Sequence, residues 1–303
     1  MPLDVDAADL IAHPFGPSPR AREALAAAAL SEPLDRYPEP PLALRKVLAA
    51  RFRVPLDAVV VGAGIAELLG RAFGALLRGG DVVVANAPSW PLLPHLCAAH
   101  AVVWRAVPYQ RADHDLDAVL AAIEPATRLV YLTSPGNPTG RALDAGAFAR
   151  WLAEVPPEVV VVVDEAYREY TTRAGALDAT TLVRASDRPL VVLRSFSKVH
   201  GLAGLRAGYA IATPAVARVL EAAAPPFLLA RGVEAAAIAA LGDTAHVART
   251  VAHVAAAREA LVAALAARGI ATLESDAPFV LAADPATPGP RYFDGRYVML
   301  PVR

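Results

Sequence analysis

Cysteine is nearly absent from this 303-residue sequence. The single Cys97 excludes an intrachain disulfide framework and a cysteine-cluster metal site, and it suits a reducing compartment. An excess of one charge is also lacking, because 29 Lys and Arg residues balance 30 Asp and Glu residues. A near-neutral chain has no electrostatic footprint for nucleic acid or for an anionic membrane. We therefore predict no metal, no nucleic-acid partner and no membrane partner.

Targeting and membrane segments are missing as well. The first ten residues carry acidic side chains and lack a basic segment followed by an apolar one, so no signal peptide is expected. No run of eighteen apolar residues occurs, so no membrane span is expected and a cytoplasmic location is predicted. Hydrophobic residues, by contrast, make up 55% of the chain, which is enough for one large or two smaller domains with a full core.

Apolar strands alternate with helical patterns from about residue 41. Continuous apolar runs of this kind are typical of a buried, mostly parallel sheet with helices on both faces. We predict an α/β fold with an N-terminal arm at 1–40, a large domain at 41–220, and Ala-rich helices with two short strands at 221–303. The predicted strands lie at 59–61, 82–84, 101–103, 129–132, 159–163, 190–193, 278–282 and 297–302, and residues 214–268 are predicted to be helical throughout, apart from breaks at Pro225-Pro226 and Gly242-Asp243.

Lys198 has an unusual environment for a lysine. It follows the apolar strand at 189–193 in a turn rich in hydroxyl groups and glycine, and Arg206 comes eight positions later. This arrangement suits a lysine that holds an aldehyde cofactor as a Schiff base, while Ser195, Ser197 and Arg206 grip a phosphate. Pyridoxal phosphate (PLP) is the cofactor that needs both. The alternative is a solvated surface lysine.

A glycine turn at 62–64 follows a strand and opens a helix. Free backbone N–H groups at a helix start form an anion site. A dinucleotide-binding fold begins in the same way, but Glu67 stands where its third glycine would fall, which weighs against a nicotinamide or flavin enzyme. Alternatively, the turn is a tight connection without a ligand.

Other strand ends carry candidate binding residues. Asp164 can keep a pyridine nitrogen protonated, or it can cap a helix. Asn137, in a loop of Pro and Gly residues, can direct its amide at a ligand oxygen or close an Asx turn. Trp90 can stack on a heteroaromatic ring or fill the core, and Tyr167 can donate to an oxygen on that ring or simply pack.

Together these segments resemble the aspartate aminotransferase superfamily, fold type I of the PLP enzymes, and most of all the histidinol-phosphate aminotransferase and threonine-phosphate decarboxylase group. The order and spacing agree, with 27 positions from Asn137 to Asp164, 34 from there to Lys198 and eight more to Arg206. The resemblance covers about residues 11–283. It implies a three-layer PLP-binding large domain and a small α+β domain, reduced here because 20 residues follow Ala283.

The resemblance also implies roles for individual residues. Lys198 forms the Schiff base and shuttles the Cα proton, and Asp164 pairs with the pyridine nitrogen. Tyr37 reaches the cofactor phosphate of a neighbouring subunit, which implies a homodimer, and Phe15 belongs to an arm that covers the substrate. The other implied contacts are Asn137 and Tyr167 at the ring oxygen, Trp90 on the ring face, and Gly64, Ile65, Ala66, Ser195, Ser197 and Arg206 at the phosphate.

Two departures from the family pattern concern the substrate. Met299 stands where the family carries an arginine for the substrate carboxylate, with Arg296, Arg303 and Arg291 as candidate replacements, and His13 stands where relatives often have Asn.

The expected activity is that of a PLP-dependent aminotransferase acting on an amino acid or amine. A PLP-dependent decarboxylase or lyase of secondary metabolism remains open, as do a catalytically silent scaffold and a nucleotide-binding oxidoreductase.

Overall fold

The computed structural model describes residues 12–186 and 188–302. Over these residues the chain forms nine α-helices and ten β-strands. The helices are α1 Pro19–Ser31, α2 Leu42–Phe52, α3 Ile65–Leu76, α4 Leu92–Ala99, α5 Leu116–Ala121, α6 Ala145–Glu154, α7 Pro214–Ala222, α8 Val233–Gly242 and α9 Thr244–Ala267. The strands are β1 Val59–Gly62, β2 Val82–Ala87, β3 Val103–Pro108, β4 Thr127–Thr133, β5 Val160–Asp164, β6 Leu190–Ser195, β7 Gly208–Ala212, β8 Phe279–Ala282, β9 Arg291–Tyr292 and β10 Tyr297–Pro301.

A seven-stranded sheet forms the centre of the fold, in the order β1-β7-β6-β5-β4-β2-β3. Strands β2 to β6 are parallel to one another, and β7 lies antiparallel between β6 and β1. Alternate residues of β5 face two different apolar clusters: Val161 and Val163 enter one, Val160 and Val162 the other. Because both faces are covered, the strand is apolar from Val160 to Val163, and only its last residue, Asp164, is charged. The predicted fold class is confirmed.

Several element predictions were wrong in detail. Strands β7 and β9 were not predicted, and β3 begins at Val103 rather than at residue 101. Residues 223–232 are not helical, although the Ala-rich pattern predicted helix there apart from a break at the proline pair. Pro225 and Pro226 lack the backbone N–H that a helix needs and restrict the residue before them, so the helix resumes only at Val233.

A small antiparallel sheet, in the order β8-β10-β9, lies beside helix α9. Its buried Phe279 and Met299 join an apolar cluster with Tyr167 and Val199, so it packs directly on the loops that follow β5 and β6. The domain boundaries at 40 and 220 stay a prediction. Among the described residues, helix α9 is long and apolar enough to cross a membrane by length and composition, a test that core helices of soluble proteins also pass.

Candidate active site

A cleft lies where the parallel strands β4, β5 and β6 end. Thr133, Asp164 and Ser195 are the last residues of these strands, and all three line it. They converge because the carboxyl ends of parallel strands share one edge of the sheet, which is where open α/β sheets bind ligands. The cleft has a volume of about 180 Å³.

Most of the predicted cofactor-binding residues line this cleft, namely Ile65, Ala66, Trp90, Asn137, Asp164, Tyr167, Ser195, Ser197, Lys198 and Arg206. Gly64 lies at the same end of the cleft, with a φ of 88° that favours glycine. A Cβ atom on Gly64 would stand 2.9 Å from Nη2 of Arg206. The missing side chain therefore lets a guanidinium approach the first turn of α3, where free N–H groups and a cation together suit a phosphate.

Lys198 lies in the turn that follows β6. The turn is held by the Ser197 N–H, which donates to Ser195 Oγ at 3.0 Å, and by the Gly201 N–H, which donates to the Lys198 carbonyl at 3.0 Å. The Lys198 amine lies 5.3 Å from the centre of the Tyr167 ring. Tyr167 is itself buried and packs edge-on against Phe279, which fixes its ring. The Tyr167 ring therefore shields one side of the Lys198 amine.

Asp164 is only 6% exposed, and both of its carboxylate oxygens accept hydrogen bonds. The Ala166 N–H donates to Oδ1 at 3.0 Å, and the Tyr131 hydroxyl donates to Oδ2 at 2.8 Å. Burial raises the pKa of Asp164, while the two donors and the Lys198 charge act in the opposite direction. A carboxylate oriented in this way can accept an N–H from a protonated heteroaromatic ring.

Sequence reasoning missed Tyr131 as a functional residue. A tyrosine inside an apolar strand has the pattern of a core residue, and Tyr131 is indeed 1% exposed within an apolar cluster. Only the pairing of β4 with β5 brings its hydroxyl to Asp164. No local signal in the sequence identifies this contact.

The loop that carries Asn137 is anchored from two sides. The Asn137 N–H donates to Thr133 Oγ1 at 3.1 Å, and Ser134 Oγ accepts the Leu143 N–H at 3.0 Å. Below the loop, the half-buried His114 lies with Nε2 2.8 Å from the Thr133 carbonyl, and desolvation lowers the pKa of His114 to about 4. These contacts hold the Asn137 side chain at the wall of the cleft.

An ion network lies under the cleft, on the other side of the β5 and β6 ends. Arg194 binds three carboxylates, with Nη2 2.7 Å from Glu165 and 2.9 Å from Asp178, and Nη1 3.2 Å from Glu169. Adjacent strand residues point to opposite faces, so Arg194 and Glu165 lie below Ser195 and Asp164. The network therefore ties together the two strand ends that carry Ser195 and Asp164.

Besides Gly64, which lies next to the lining residue Ile65, four predicted residues are not in the described lining of the cleft. Tyr37 is 73% exposed and stacks on Phe227 at 4.2 Å between ring centroids. Phe15 packs against His253 and under the Arg249 guanidinium. Arg296 is exposed and donates to the Phe293 carbonyl. The fourth, Arg303, lies outside the described residues, and Met299 is buried in the cluster beside Tyr167.

The N-terminal arm contacts the lysine turn through His13 and Gly16. His13 Nε2 lies 3.0 Å from the Val199 carbonyl, and the Phe15 N–H donates to His13 Nδ1 at 3.1 Å. Since Nδ1 accepts, Nε2 carries the proton and donates. A Cβ on Gly201 would come within 2.7 Å of the Gly16 backbone, so the arm lies directly on the turn that follows Lys198.

The family model described as aminotransferase class I and II matches residues 7–288. The chain belongs to the class I and II aminotransferases. An aromatic amino acid aminotransferase of Thermobifida fusca (strain YX) is 41% identical over 272 residues, 88% of this chain and 74% of that protein. Histidinol-phosphate aminotransferase 1 of Cupriavidus pinatubonensis is 40% identical over 273 residues, 89% of this chain and 71% of that protein.

A solved aminotransferase shares the fold. The histidinol-phosphate aminotransferase from Sinorhizobium meliloti, in complex with pyridoxal-5'-phosphate, superposes with a TM-score of 0.84 at 30% identity, over 90% of this chain and 74% of that one. Together with the family model, this confirms the fold type I assignment, the aminotransferase activity class and PLP as the cofactor.

Proposed function

We propose that this aminotransferase transfers the amino group of an unphosphorylated amino acid, with Lys198 as the attachment point of PLP. The observation that carries the proposal is the presence of Lys198, Asp164 and Arg206 in one cleft. PLP, when bound, supplies an electron sink for negative charge at the substrate Cα. The residues of this chain bind and orient both molecules and move the proton.

The cleft fits PLP at each of its polar groups. Arg206, Ser195, Ser197 and the first turn of α3 would hold the phosphate. Asp164, already fixed by two donors, would accept from the ring nitrogen. The remaining contacts would be Asn137 and Tyr167 at the ring oxygen and Trp90 on the ring face.

Lys198 is also the group best placed to move the Cα proton. Its amine lies in the cleft beside the buried Tyr167 ring, and the arm covers the turn behind it. An amine confined to one position can accept a proton from Cα and return it to a neighbouring carbon without diffusing away. Lys198 would thus serve as both attachment point and general base.

Charge in the cleft favours a substrate without a phosphate. Among the described residues that line it, the cations are Lys198 and Arg206, and both are assigned to the cofactor. Histidinol phosphate, after which several relatives are named, would require a further cation for its phosphate. A relative that is 41% identical is named an aromatic amino acid aminotransferase, and an aromatic amino acid carries no phosphate.

The chain contains only two lysines, Lys46 and Lys198, which makes a direct test possible. We expect the purified protein to show the visible band of lysine-bound PLP and borohydride to fix the cofactor on the Lys198 peptide. Lys198→Ala should lose the band. Lys46→Ala, which changes an exposed residue of α2, should keep it. A wild-type protein that stays colourless with excess PLP would overturn the assignment.

The substrate is tested with the same protein. Phenylalanine or tyrosine should convert the bound cofactor to its amine form faster than histidinol phosphate at equal concentration. The opposite order would contradict the charge argument. Release of carbon dioxide in place of an oxo acid would identify the decarboxylase alternative.

We also propose a cytoplasmic homodimer, in which Tyr37 completes the partner's cleft. Tyr37 and Phe227 form an exposed aromatic stack, and Leu30 and Leu34 beside it on the chain are 90% and 70% exposed, a pattern common in protein interfaces. Mixing inactive Lys198→Ala with weakened Tyr37→Ala should restore activity, because a hybrid dimer has one intact site. No restoration in a proven hybrid would count against shared sites.

The buried free thiol of Cys97 is compatible with the cytoplasm. Cell fractionation tests this location.

A further inference from the structure

We propose that Tyr131 is a positioning residue for the reaction, which acts by holding one carboxylate oxygen of Asp164 through its phenol hydroxyl. The inference rests on the proposed function, in which Asp164 accepts from the ring nitrogen of PLP. Tyr131 itself lines the floor of the cleft, but its hydroxyl is directed at Asp164.

The contact follows from the pairing of two parallel strands. Thr133 pairs with Asp164 and Tyr131 pairs with Val162, so Tyr131 stands one diagonal step from Asp164 on the same face of the sheet. An aromatic side chain is long enough to span that step. The resulting hydrogen bond is 2.8 Å long, and its two residues are 1% and 6% exposed, which keeps water from replacing the donor.

The direction of the hydrogen bond is set by the charges around it. Burial and the neighbouring Asp164 charge raise the pKa of Tyr131 well above its ordinary value, with Tyr109 and Tyr167 acting in the same direction. Tyr131 therefore keeps its proton and donates. On the other side, Asp164 is desolvated, which raises its pKa, and the donors Tyr131 and Ala166 and the Lys198 charge favour its ionised form.

The hydroxyl of Tyr131 thus has a role that an apolar core residue cannot fill. Without it, one oxygen of a buried carboxylate loses its donor, and Asp164 shifts towards the neutral acid. A neutral acid holds a protonated ring nitrogen far less well, so the electron sink weakens while the substrate contacts stay as they were. The expected signature is a lower kcat with little change in KM.

Tyr131→Phe tests this with an isosteric change. Its control is Tyr209→Phe, which removes the hydroxyl of another buried tyrosine of the same sheet, on β7 and outside the lining of the cleft. In the cofactor-free protein, Tyr131→Phe should lower the melting temperature more at neutral pH than at about pH 4, because the hydrogen bond favours the ionised carboxylate. In the loaded enzyme, kcat should fall about tenfold or more, with KM nearly unchanged.

A double-mutant cycle with Asp164→Asn gives a second measurement. If Tyr131 acts through the Asp164 charge, Tyr131→Phe should cost much less stability in the Asp164→Asn background than in the wild type. Equal losses in both backgrounds, or a loss in Tyr131→Phe that does not change with pH, would overturn the inference. Failure of the wild type to bind PLP would remove the proposed function instead, and the cofactor-free measurements would still decide the Tyr131 contact.

Discussion

Replacement of Arg194 by methionine should destabilise the protein strongly, because Arg194 neutralises a carboxylate that water cannot reach. Glu165 is 0% exposed and accepts from Arg194 Nε at 2.8 Å, while the Ala179 N–H donates to its other oxygen. Methionine keeps an apolar stem of similar length. It leaves Glu165 with one backbone donor and no cation in contact.

The magnitude follows from the burial of the pair. Removing one partner of a buried ion pair costs about 3–5 kcal/mol. With about 2.1 cal/mol/K of unfolding entropy per residue, 303 residues give about 0.64 kcal/mol/K, so the melting temperature should fall by about 5–8 °C. The two other partners, Glu169 and Asp178, are more exposed and add less.

The loss should also depend on pH. Burial raises the pKa of Glu165 from 4.5 to about 7 even beside Arg194. When folding raises the pKa of a carboxyl group, the group stabilises the folded state fully below the pKa of the unfolded chain. This contribution is lost as the pH rises through the pKa of the folded state. Without Arg194 the folded pKa rises further, so the deficit of Arg194→Met should be smaller at about pH 6 than at about pH 8.5.

Thermal unfolding followed by fluorescence at both pH values measures this deficit. Arg218→Met is the matched control, because Arg218 is exposed on α7 and should change stability by about 0.5 kcal/mol or less. Glu165→Gln combined with Arg194→Met should recover part of the loss, since the buried charge is then gone. If the melting temperature of Arg194→Met lies within about 1–2 °C of that of the control, its effect is no larger than that of a surface substitution. The network then contributes little, and the reasoning is refuted.

Three further outcomes are expected around the cleft. Burial lowers the pKa of His13, whose Nδ1 accepts from the Phe15 N–H, so the stability that this contact gives above pH 6.5 is lost as the pH falls below that value. Limited proteolysis should therefore cut the N-terminal arm faster below pH 6.5. His13→Asn should make the cleavage rate depend less on pH. Gly201→Ala should lower stability by about 1–3 kcal/mol, because φ is 68° and the added Cβ meets the Gly16 backbone; a melting curve checks this. Gly64→Ala should weaken PLP binding about tenfold while leaving pyridoxal binding nearly unchanged, as the Cβ would displace the phosphate-binding guanidinium; equal losses for both ligands would contradict this.

The parts of the site that the sequence predicted share one property. Asn137, Asp164 and Lys198 each follow a continuous apolar strand within a few residues, and parallel strands end at one edge. Knowing that the strands are parallel is therefore enough to bring these three side chains together. The same reasoning predicted Trp90 after β2 and the glycine turn after β1, and Trp90 lines the cleft together with Ile65 and Ala66, which follow that turn.

The contacts that the sequence did not predict depend on pairings between distant segments. Tyr131 reaches Asp164 only through the register of β4 on β5, and Arg194 reaches Asp178 only through a loop that returns under the sheet. His114 supports the Asn137 loop from a segment more than twenty positions away. The sequence around each of these residues has no distinctive pattern. A search for motifs therefore does not identify Tyr131, Arg194 or His114 as contacts of the site.

The wall beside Tyr167 shows why the cofactor is easier to predict than the substrate. The residues that we propose to bind PLP lie at or just after strand ends, so the preceding strand fixes the position of each. The wall instead combines Val254 from α9 with Phe279 and Met299 from the small sheet, all packed on Val199 beside Lys198. Its shape depends on how three separate segments fill one volume, and packing of that kind tolerates many sequences of equal size. Because Tyr167 belongs to this cluster and also lines the cleft, we expect substitutions in the cluster to change the substrate preference more readily than the binding of PLP.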